Sequence, residues 1–401
     1  MKPIGGSDSA RRLSLGALVL ATAAVSAAPA GAVTVKHKKP AHRPVIQTGV
    51  VYTETNAVPI NEVVVFNRGA NGALVPRQRV PTGGVGAPSP ACAMPTRACP
   101  IVDGQGEVNL AANGRILFAV NAGSNTISSF LESSLGLVLI DRQPSGGNFP
   151  VSLDSRGNVL YVVNQFTGNI AGFRFNNIGK MTPIPGSIRP LATPGPSGAA
   201  AQISFDRTGR TLAVSERGTN LIDTFPVVNG VAGTATGHPV PANAITPFGF
   251  AFDGLNRLVV SDALSQKTGA ATTYSQALAA IDTQSTSGGA PCWVVVTPDN
   301  RYVYITNTTT KTIARFGLSA DGHLSLLGLT QTLNTPPGPV LFPTDEALSS
   351  NGRYLYVLIP SVFGPDVSRI DEYRIGAGGT LTLLGSTPSN MGAGASGLAA
   401  R

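Results

Sequence analysis

Charged side chains are scarce in this sequence, since Asp, Glu, Lys and Arg make up only 12% of its 401 residues. Helical proteins usually cover their surfaces with Glu, Lys and Arg, so this scarcity argues against a helical fold. The hydrophobic share of 42% excludes disorder for most of the chain, because disordered segments combine low hydrophobicity with high charge. Glycine (47) and proline (31) are abundant instead. This composition is typical of an all-β protein with many turns.

The net charge of +8 is concentrated at one end of the chain. Residues 1–44 hold seven Lys or Arg side chains and one acid, whereas residues 45–401 hold 22 basic and 20 acidic groups. The body of the protein is therefore nearly neutral. It lacks the basic stripe that nucleic-acid binding requires, so we expect no nucleic-acid partner. We expect a monomer.

Long hydrophobic runs are absent except near the N-terminus. Lys2, Arg11 and Arg12 precede an uncharged run that ends in the small residues Ala30-Gly31-Ala32. Its strongly apolar part, roughly 13 residues, is too short to span a bilayer core of ~30 Å. The pattern predicts a signal peptide over residues 1–32 and a secreted or periplasmic protein, with the Sec and twin-arginine routes both open. Residues 33–44 read as a basic, flexible leader, and we expect no transmembrane segment after signal removal.

Cysteine is nearly absent, with only Cys92, Cys99 and Cys292. Two cysteines with no histidine nearby exclude a zinc site at Cys92 and Cys99. Their six-residue spacing in a Pro/Gly-rich loop predicts a local disulfide in the exported protein. Cys292 is then expected to be a reduced, buried thiol.

A motif recurs about every fifty residues. Each copy has a turn with Gly or Asn, then usually Arg, then an apolar strand that in most copies ends in a polar residue. The copies cover residues 113–121, 156–164, 208–216, 256–262, 299–307 and 351–359, with a seventh, lacking the Gly-Arg turn, at 49–56. Further β-rich segments flank most copies, which indicates four strands per unit and a seven-bladed β-propeller over residues 45–401.

The two ends of the chain suggest how the ring closes. The chain enters the repeat at what is the second strand of every other unit, and residues 395–400 resemble an additional first strand. We therefore predict that residues 395–400 form the innermost strand of the N-terminal blade, beside Val50–Glu54. Closure of this kind leaves few exposed strand edges.

Several stretches resemble the secreted branch of the seven-bladed propeller lactonase-like family, which includes a 6-phosphogluconolactonase and carboxymuconate lactonising enzymes. They lie at residues 121–128, 215–225, 247–253, 291–299, 343–349 and 397–401, for example Pro247-Phe-Gly-Phe-Ala-Phe-Asp253. The resemblance implies action on a lactone, or a lactonising isomerisation. The enzymes of the family carry a histidine in a first strand, whereas the equivalent segment here, beginning at Asn148, has none. The four histidines, His37, His42, His238 and His323, lie elsewhere, which puts a histidine general base in doubt.

Loops that enter first strands and loops that leave second strands open on the same face of a propeller, so we expect the candidate residues to meet at one mouth of the central channel. The predicted catalytic set is Asp345 and Glu346 as general bases on water, with Glu216 beside Arg217, which would stabilise an oxyanion. The predicted ligand-binding set is Asp262, Asn121, Asn164, Asn307, Phe248 and Trp293.

Other roles for the same residues remain open. The asparagines can end their strands in local turns, Trp293 can belong to the core, and Glu216 and Arg217 can form a local ion pair. No cofactor is expected, although the acids and amides could hold a Ca²⁺-type cation. Whether the protein is an enzyme is also open. It is either a lactone-acting hydrolase or isomerase, or a non-catalytic propeller that binds a glycan, a peptide or a cell-envelope partner.

Overall fold

The fold is known from a computed structural model, which describes residues 47–87, 104–332, 340–363, 366–389, 391 and 394–401. The predicted signal peptide, the leader, Cys92 and Cys99 lie outside these residues. The regular structure of the described part is almost entirely β-strand, and the strands form a seven-bladed propeller. No helix within the described ranges is long and apolar enough to cross a membrane.

The strands are numbered β1 to β32 in chain order, and each blade is counted outward from the axis. Blades 1 to 4 contain β1 (Gln47–Glu54), β2 (Glu62–Gly69), β3 (Leu74–Pro81); β4 (Val108–Leu110), β5 (Ile116–Asn121), β6 (Thr126–Ser133), β7 (Gly136–Pro144); β8 (Pro150–Arg156), β9 (Val159–Asn164), β10 (Asn169–Phe175), β11 (Met181–Pro183), β12 (Arg189–Pro190); β13 (Ala200–Phe205), β14 (Thr211–Glu216), β15 (Leu221–Val228), β16 (Val231–Ala232) and β17 (Thr236–Pro239).

The remaining strands form blades 5 to 7, a two-stranded ribbon (β26 with β29) and the closing strand β32. They are β18 (Pro247–Phe252), β19 (Leu258–Asp262), β20 (Ala270–Tyr274), β21 (Ala280–Ser285); β22 (Pro291–Val296), β23 (Tyr302–Asn307), β24 (Thr312–Leu318), β25 (Leu324–Gln331); β26 (Val340–Leu341), β27 (Asp345–Leu348), β28 (Tyr354–Ile359), β29 (Ser361–Phe363), β30 (Arg369–Ile375), β31 (Leu381–Pro388) and β32 (Ser396–Ala400). The described ranges also contain three short 3₁₀ turns, at Ala122–Ser124, Pro196–Gly198 and Ala377–Gly379.

Ring closure follows the prediction from the two ends of the chain. Blade 1 has the order β3-β2-β1-β32, so the last strand of the chain is the innermost strand of the first blade. β32 runs antiparallel to β1, with Val51 opposite Ala400 and Thr53 opposite Leu398. The first and last segments of the propeller therefore share one sheet.

Hydrophobic side chains fill the spaces between neighbouring blades. Second strands are almost continuously apolar because both of their faces are covered, as in Leu160–Val163 of β9. Six clusters of buried side chains in the described ranges each span two adjacent blades, and the cluster between blades 7 and 1 joins Tyr356 to Phe66 and Leu398. A seventh cluster fills the space between blades 3 and 4 and also includes Ala87 and Ala122. The core is thus a circle of interfaces, and each blade depends on both neighbours.

A tyrosine at the same place in four second strands reaches across to the next blade. The hydroxyl groups of Tyr161, Tyr304 and Tyr356 donate to the carbonyl oxygens of Gly230 (3.0 Å), Gly379 (2.6 Å) and Gly72 (2.9 Å), all in outer hairpin turns. In blade 1, Tyr52 donates instead to Oε2 of Glu132 at 3.1 Å. Each bond satisfies a buried hydroxyl and fixes one blade against the next.

Leu398→Ala should destabilise the protein strongly, because Leu398 is only 6% exposed and packs in the cluster that closes the ring. We expect a loss of about 2–5 kcal/mol, as for other large-to-small changes in a core. The measurement is thermal and urea unfolding of the purified protein.

The matched control is Leu384→Ala in the outer strand β31, where the leucine is 39% exposed. This variant should unfold within about 0.5 kcal/mol of the wild type, as is usual at surface sites. Equal effects of the two substitutions would show that β32 does not carry the closure.

Candidate functional site

The predicted mouth exists as a geometric feature, because first-strand starts and second-strand ends pair at the same edge of the blades. Ala200 lies opposite Glu216, Pro247 opposite Asp262, and Pro150 opposite Asn164. Blade 6 repeats this register at the end of β23. The two predicted sets therefore lie on one face of the ring.

The last residues of the second strands form a buried polar ring at this face. Its members, in blade order, are Glu54, Asn121, Asn164, Glu216, Asp262 and Asn307, with the apolar Ile359 in the seventh place. All six polar side chains are fully buried. Glu54 was missed from the sequence because its copy of the repeat lacks the Gly-Arg turn and its polar end was assigned to Asn56.

The asparagines of the ring bind neighbouring protein groups. Oδ1 of Asn121 accepts hydrogen bonds from Thr82 and Asn61 of the preceding blade (2.5 and 3.2 Å), and Nδ2 of Asn164 donates to the carbonyl of Ser145 at 3.1 Å. Nδ2 of Asn307 donates to Oγ1 of Thr312 at 3.0 Å. These contacts fasten strand ends and blade connections.

Glycines in the connections allow this close approach. A Cβ on Gly84 would lie 2.4 Å from Cγ of Asn121, and one on Gly288 would lie 2.4 Å from Cγ of Asn307. Both distances are shorter than real contacts, so a side chain at either position would displace the buried amide. Glycine in a connection between blades therefore indicates close packing of the backbone against the buried polar ring.

Glu216 is paired with a second buried acid, Asp223. Oε1 of Glu216 accepts a hydrogen bond from the amide of Thr193 at 3.2 Å, and its other oxygen accepts from the hydroxyl of Thr219. Oδ2 of Asp223 accepts from the amide of Ala192 at 2.7 Å. Burial raises the pKa of Asp223 to about 7, and the charge of Glu216 adds to the rise. The neutral form of Asp223 is therefore favoured up to about pH 7.

Asp345 and Glu346 start the innermost strand of blade 7 and are 1% and 2% exposed. Oδ1 of Asp345 accepts from the amide of Glu346 at 2.7 Å, and the amide of Leu398 in blade 1 also stabilises its carboxylate. Oε2 of Glu346 accepts from Thr306 of blade 6 at 2.8 Å. The two side chains therefore face opposite neighbours, as alternation along a strand requires.

Burial is the main influence on these acids. It raises the pKa of Asp345 and Glu346 well above their ordinary values, despite the hydrogen bonds that favour the charged forms. It does the same for Asp262, whose Oδ2 accepts from Thr272 at 2.6 Å, and for Glu54. At the mouth, neutral carboxyl groups are therefore favoured over free carboxylates.

Arg217 has a different environment from the acids, because it is only partly buried. Its guanidinium carbon lies 4.8 Å above the ring of Phe248, and its Nε donates to the carbonyl of Ala199 at 3.1 Å. Phe248 in turn packs edge-on against Trp293, with ring centroids 5.4 Å apart. With Ala201 and Cys292, the two rings form a small cluster across blades 4, 5 and 6. Cys292 is buried, and its thiol donates to the carbonyl of Ala290 at 3.3 Å.

Residues 104–106, here called the axial segment, run between the innermost strands. Gly104 accepts a hydrogen bond from Nε1 of Trp293 (2.8 Å), and Gln105 exchanges side-chain hydrogen bonds with the main chain of Val294 (2.9 and 3.1 Å). The amide of Gln105 donates to Ala201 and the carbonyl of Gly106 accepts from Leu153. The segment thus links blades 3, 4 and 6 and occupies the channel at this level. The sequence showed only a Gly-Gln-Gly in a loop, with no signal for this position.

A cavity of about 440 Å³ lies at the opposite end of the channel, with Gln105 in its wall. Asp154, Asp206 and Phe252 line it at the ends of first strands. Asp154 accepts hydrogen bonds from Asn109, Ser155, Ser204 and Phe205 (2.8–2.9 Å), and burial raises its pKa. The hydrogen bonds of Asp154 thus join strands of blades 2, 3 and 4.

The histidines of the described ranges lie away from the mouth. No three His, Cys, Asp or Glu side chains there are grouped so that they could hold a metal ion. His238 lies in β17 and bonds to Thr224 at 2.9 Å, and His323 lies in an exposed hairpin turn near Asp282. Neither histidine is among the residues of the mouth.

Stability should fall as the pH rises from about 4 to above 7, and Asp223→Asn should reduce that fall. The raised pKa means that the folded protein holds the proton of Asp223 more tightly than the unfolded chain, so this contribution is present at low pH and is lost through about pH 7. An amide cannot lose the proton. We expect the variant to gain about 1–3 kcal/mol relative to the wild type between pH 5 and pH 8.

The measurement is urea unfolding at pH 5 and pH 8. Asp321→Asn is the control, because that acid is exposed in a hairpin turn and should leave the pH dependence nearly unchanged. Parallel curves for the wild type and Asp223→Asn would contradict the assignment.

Part of the chain is similar in sequence to a known protein family. Residues 60–194 match the model of the family "Lactonase, 7-bladed beta-propeller". No protein of curated function matches the chain.

Several solved structures of low sequence identity share the fold of this chain. A putative 6-phosphogluconolactonase from Bacteroides uniformis is 18% identical, with a TM-score of 0.64 over 86% of this chain and 98% of that one. A second from Bacteroides fragilis is 16% identical, with a TM-score of 0.66 over 88% and 98%. A functionally unknown protein from Desulfotomaculum acetoxidans is 13% identical, with a TM-score of 0.59 over 87% and 98%.

At such identities the structural matches show the fold, and the family match adds sequence support over residues 60–194. The seven blades found here agree with the seven-bladed description of that family. The described part of the chain is a seven-bladed β-propeller, and residues 60–194 are similar in sequence to the lactonase propeller family.

Proposed function

We propose that the protein binds a lactone or a sugar acid at the mouth of the channel, through Arg217, which rests on the buried pair of Phe248 and Trp293. The partly exposed guanidinium of Arg217, held above an aromatic ring, carries this proposal. The fork of an arginine side chain suits a carboxylate or a developing oxyanion. The family match supports a lactone-related ligand.

The aromatic cluster gives Arg217 a fixed position. Phe248 and Trp293 are both 3% exposed, and Trp293 is anchored to the axial segment through its indole nitrogen. A guanidinium that rests on a rigid ring loses little freedom when it binds an anion. The axial segment forms part of the support for this site.

Turnover requires a base that reaches a water molecule, and the predicted bases are poorly placed for this. Asp345, Glu346 and Glu216 are buried, and the first two are held in their neutral form by burial. A general base must lie within about 2.6–3.2 Å of the proton it removes. This observation favours the second candidate, a propeller that binds its ligand without converting it.

Export belongs to the same proposal. The charged start, the apolar run and the Ala-x-Ala site within residues 1–32 support it. A secreted or periplasmic protein would meet sugar acids and lactones outside the cytoplasm. N-terminal sequencing of the protein recovered from its natural host, with Val33 as the expected first residue, tests this part.

Arg217→Ala should weaken the binding of gluconate at least tenfold, because hydrogen bonds to a charged partner are worth about 1.5–3 kcal/mol. The assay is isothermal titration calorimetry with gluconate and with glucono-δ-lactone. Arg374→Ala is the control, since Arg374 is an exposed arginine near the start of the β28–β30 pairing, at the opposite edge of blade 7. Equal affinity for the wild type and Arg217→Ala would refute the site.

Catalysis is tested separately with the double variant Asp345→Asn, Glu346→Gln. If these acids serve as bases, the variant loses turnover of a lactone panel while its melting temperature is unchanged or higher, because the amides imitate the neutral acids. Binding without turnover by the wild-type protein would support the non-catalytic candidate.

A further inference from the structure

A cavity of about 640 Å³ lies between blades 1 and 2, away from the mouth. It is lined by three arginines, Arg77, Arg115 and Arg401, and by a single acid, Glu132. The hairpin turn after β6, which includes Ser133 and Ser134, completes the wall. The volume is that of a site for a small molecule.

The floor of this cavity is an organised ionic group. Nη2 of Arg77 lies 2.7 Å from Oε2 of Glu132, and the side chains are 18% and 7% exposed. The hydroxyl of Tyr52 donates to the same carboxylate oxygen at 3.1 Å. Glu132 therefore fixes the direction of Arg77 and neutralises only one of the three guanidinium groups.

The other two arginines come from different strands. Arg401 follows the closing strand β32, and its Nη1 donates to the carbonyl of Gly114. Arg115 precedes β5 in the same turn and is exposed. Its side chain makes no hydrogen bond or ion pair within the described residues, so its donors are available to a ligand.

The side chains around the cavity carry a net charge of +2, since three arginines face one glutamate. This is unusual in a body that is nearly neutral overall. Guanidinium groups bind phosphate and carboxylate oxygens in paired hydrogen bonds. Nearby serine hydroxyls and the side chain of Gln78 add neutral donors.

We propose that this cavity is a second binding site, which takes a small oxyanion of two or more negative charges. Arg115 and Arg401 hold the anion at the rim, and Arg77 meets it at the floor. A phosphate group and a polycarboxylate share this chemistry. The site is independent of the ligand proposed for the mouth.

The experiment is isothermal titration calorimetry of the full chain with inorganic phosphate and, separately, with citrate, at low ionic strength. We expect saturable binding of at least one probe. Arg115→Ala should weaken it tenfold or more without changing the melting temperature, because Arg115 has no partner in the described fold. Added NaCl should weaken binding as well.

The chain supplies a matched control in Arg353→Ala. Arg353 lies in the equivalent Asn-Gly-Arg turn of blade 7 and is also exposed. Loss of binding in Arg115→Ala but not in Arg353→Ala supports the site. Equal effects of the two variants, or no saturable binding of either probe, would overturn it.

Discussion

The contact between the second strand of one blade and the outer hairpin of the next is the interaction on which the rest of the ring depends. Tyr161, Tyr304 and Tyr356 reach carbonyl oxygens in those hairpins, and hydrophobic clusters fill the space between the same elements. A single blade cannot bury both faces of its strands, so stability arises only when neighbours stack and the circle closes. The C-terminal strand completes this circle in blade 1.

The same requirement explains the polar ring at the mouth. At the ends of several second strands, the last side chain faces the connection of the preceding blade, and a buried amide or carboxyl group there must find partners. Asn121 bonds to Thr82 and Asn61, and Glu216 bonds to the amide of Thr193. Several acids meet this requirement in positions where burial favours their neutral form. Residue types that suggest catalysis or ligand binding are thus engaged mainly in hydrogen bonds that hold the fold together.

Much of the fold could be predicted because each repeat is marked by patterns of residues that are close together in the sequence. Turn residues followed by alternating or continuous apolar runs specify second strands such as β9 and β28, and the phase of the ends specifies closure. The third strand of blade 5, Ala270–Tyr274, was missed because Ala-Ala-Thr-Thr-Tyr has too little hydrophobic signal. The side-chain directions of Asp345 and Glu346 and the position of Gln105 could not be predicted. They depend on contacts between segments far apart in the sequence.

Variation at a structural position can open a site without disturbing the fold. At three interfaces the tyrosine bonds to a backbone carbonyl, which is neutral and leaves no charge to balance. At the interface of blades 1 and 2, Tyr52 bonds instead to Glu132, and a buried carboxylate requires a cation, which Arg77 supplies. Two further arginines lie near this ion pair with little electrostatic repulsion, because Arg115 and Arg401 remain near solvent. The departure from the repeat and this strongly basic cavity therefore coincide for a physical reason.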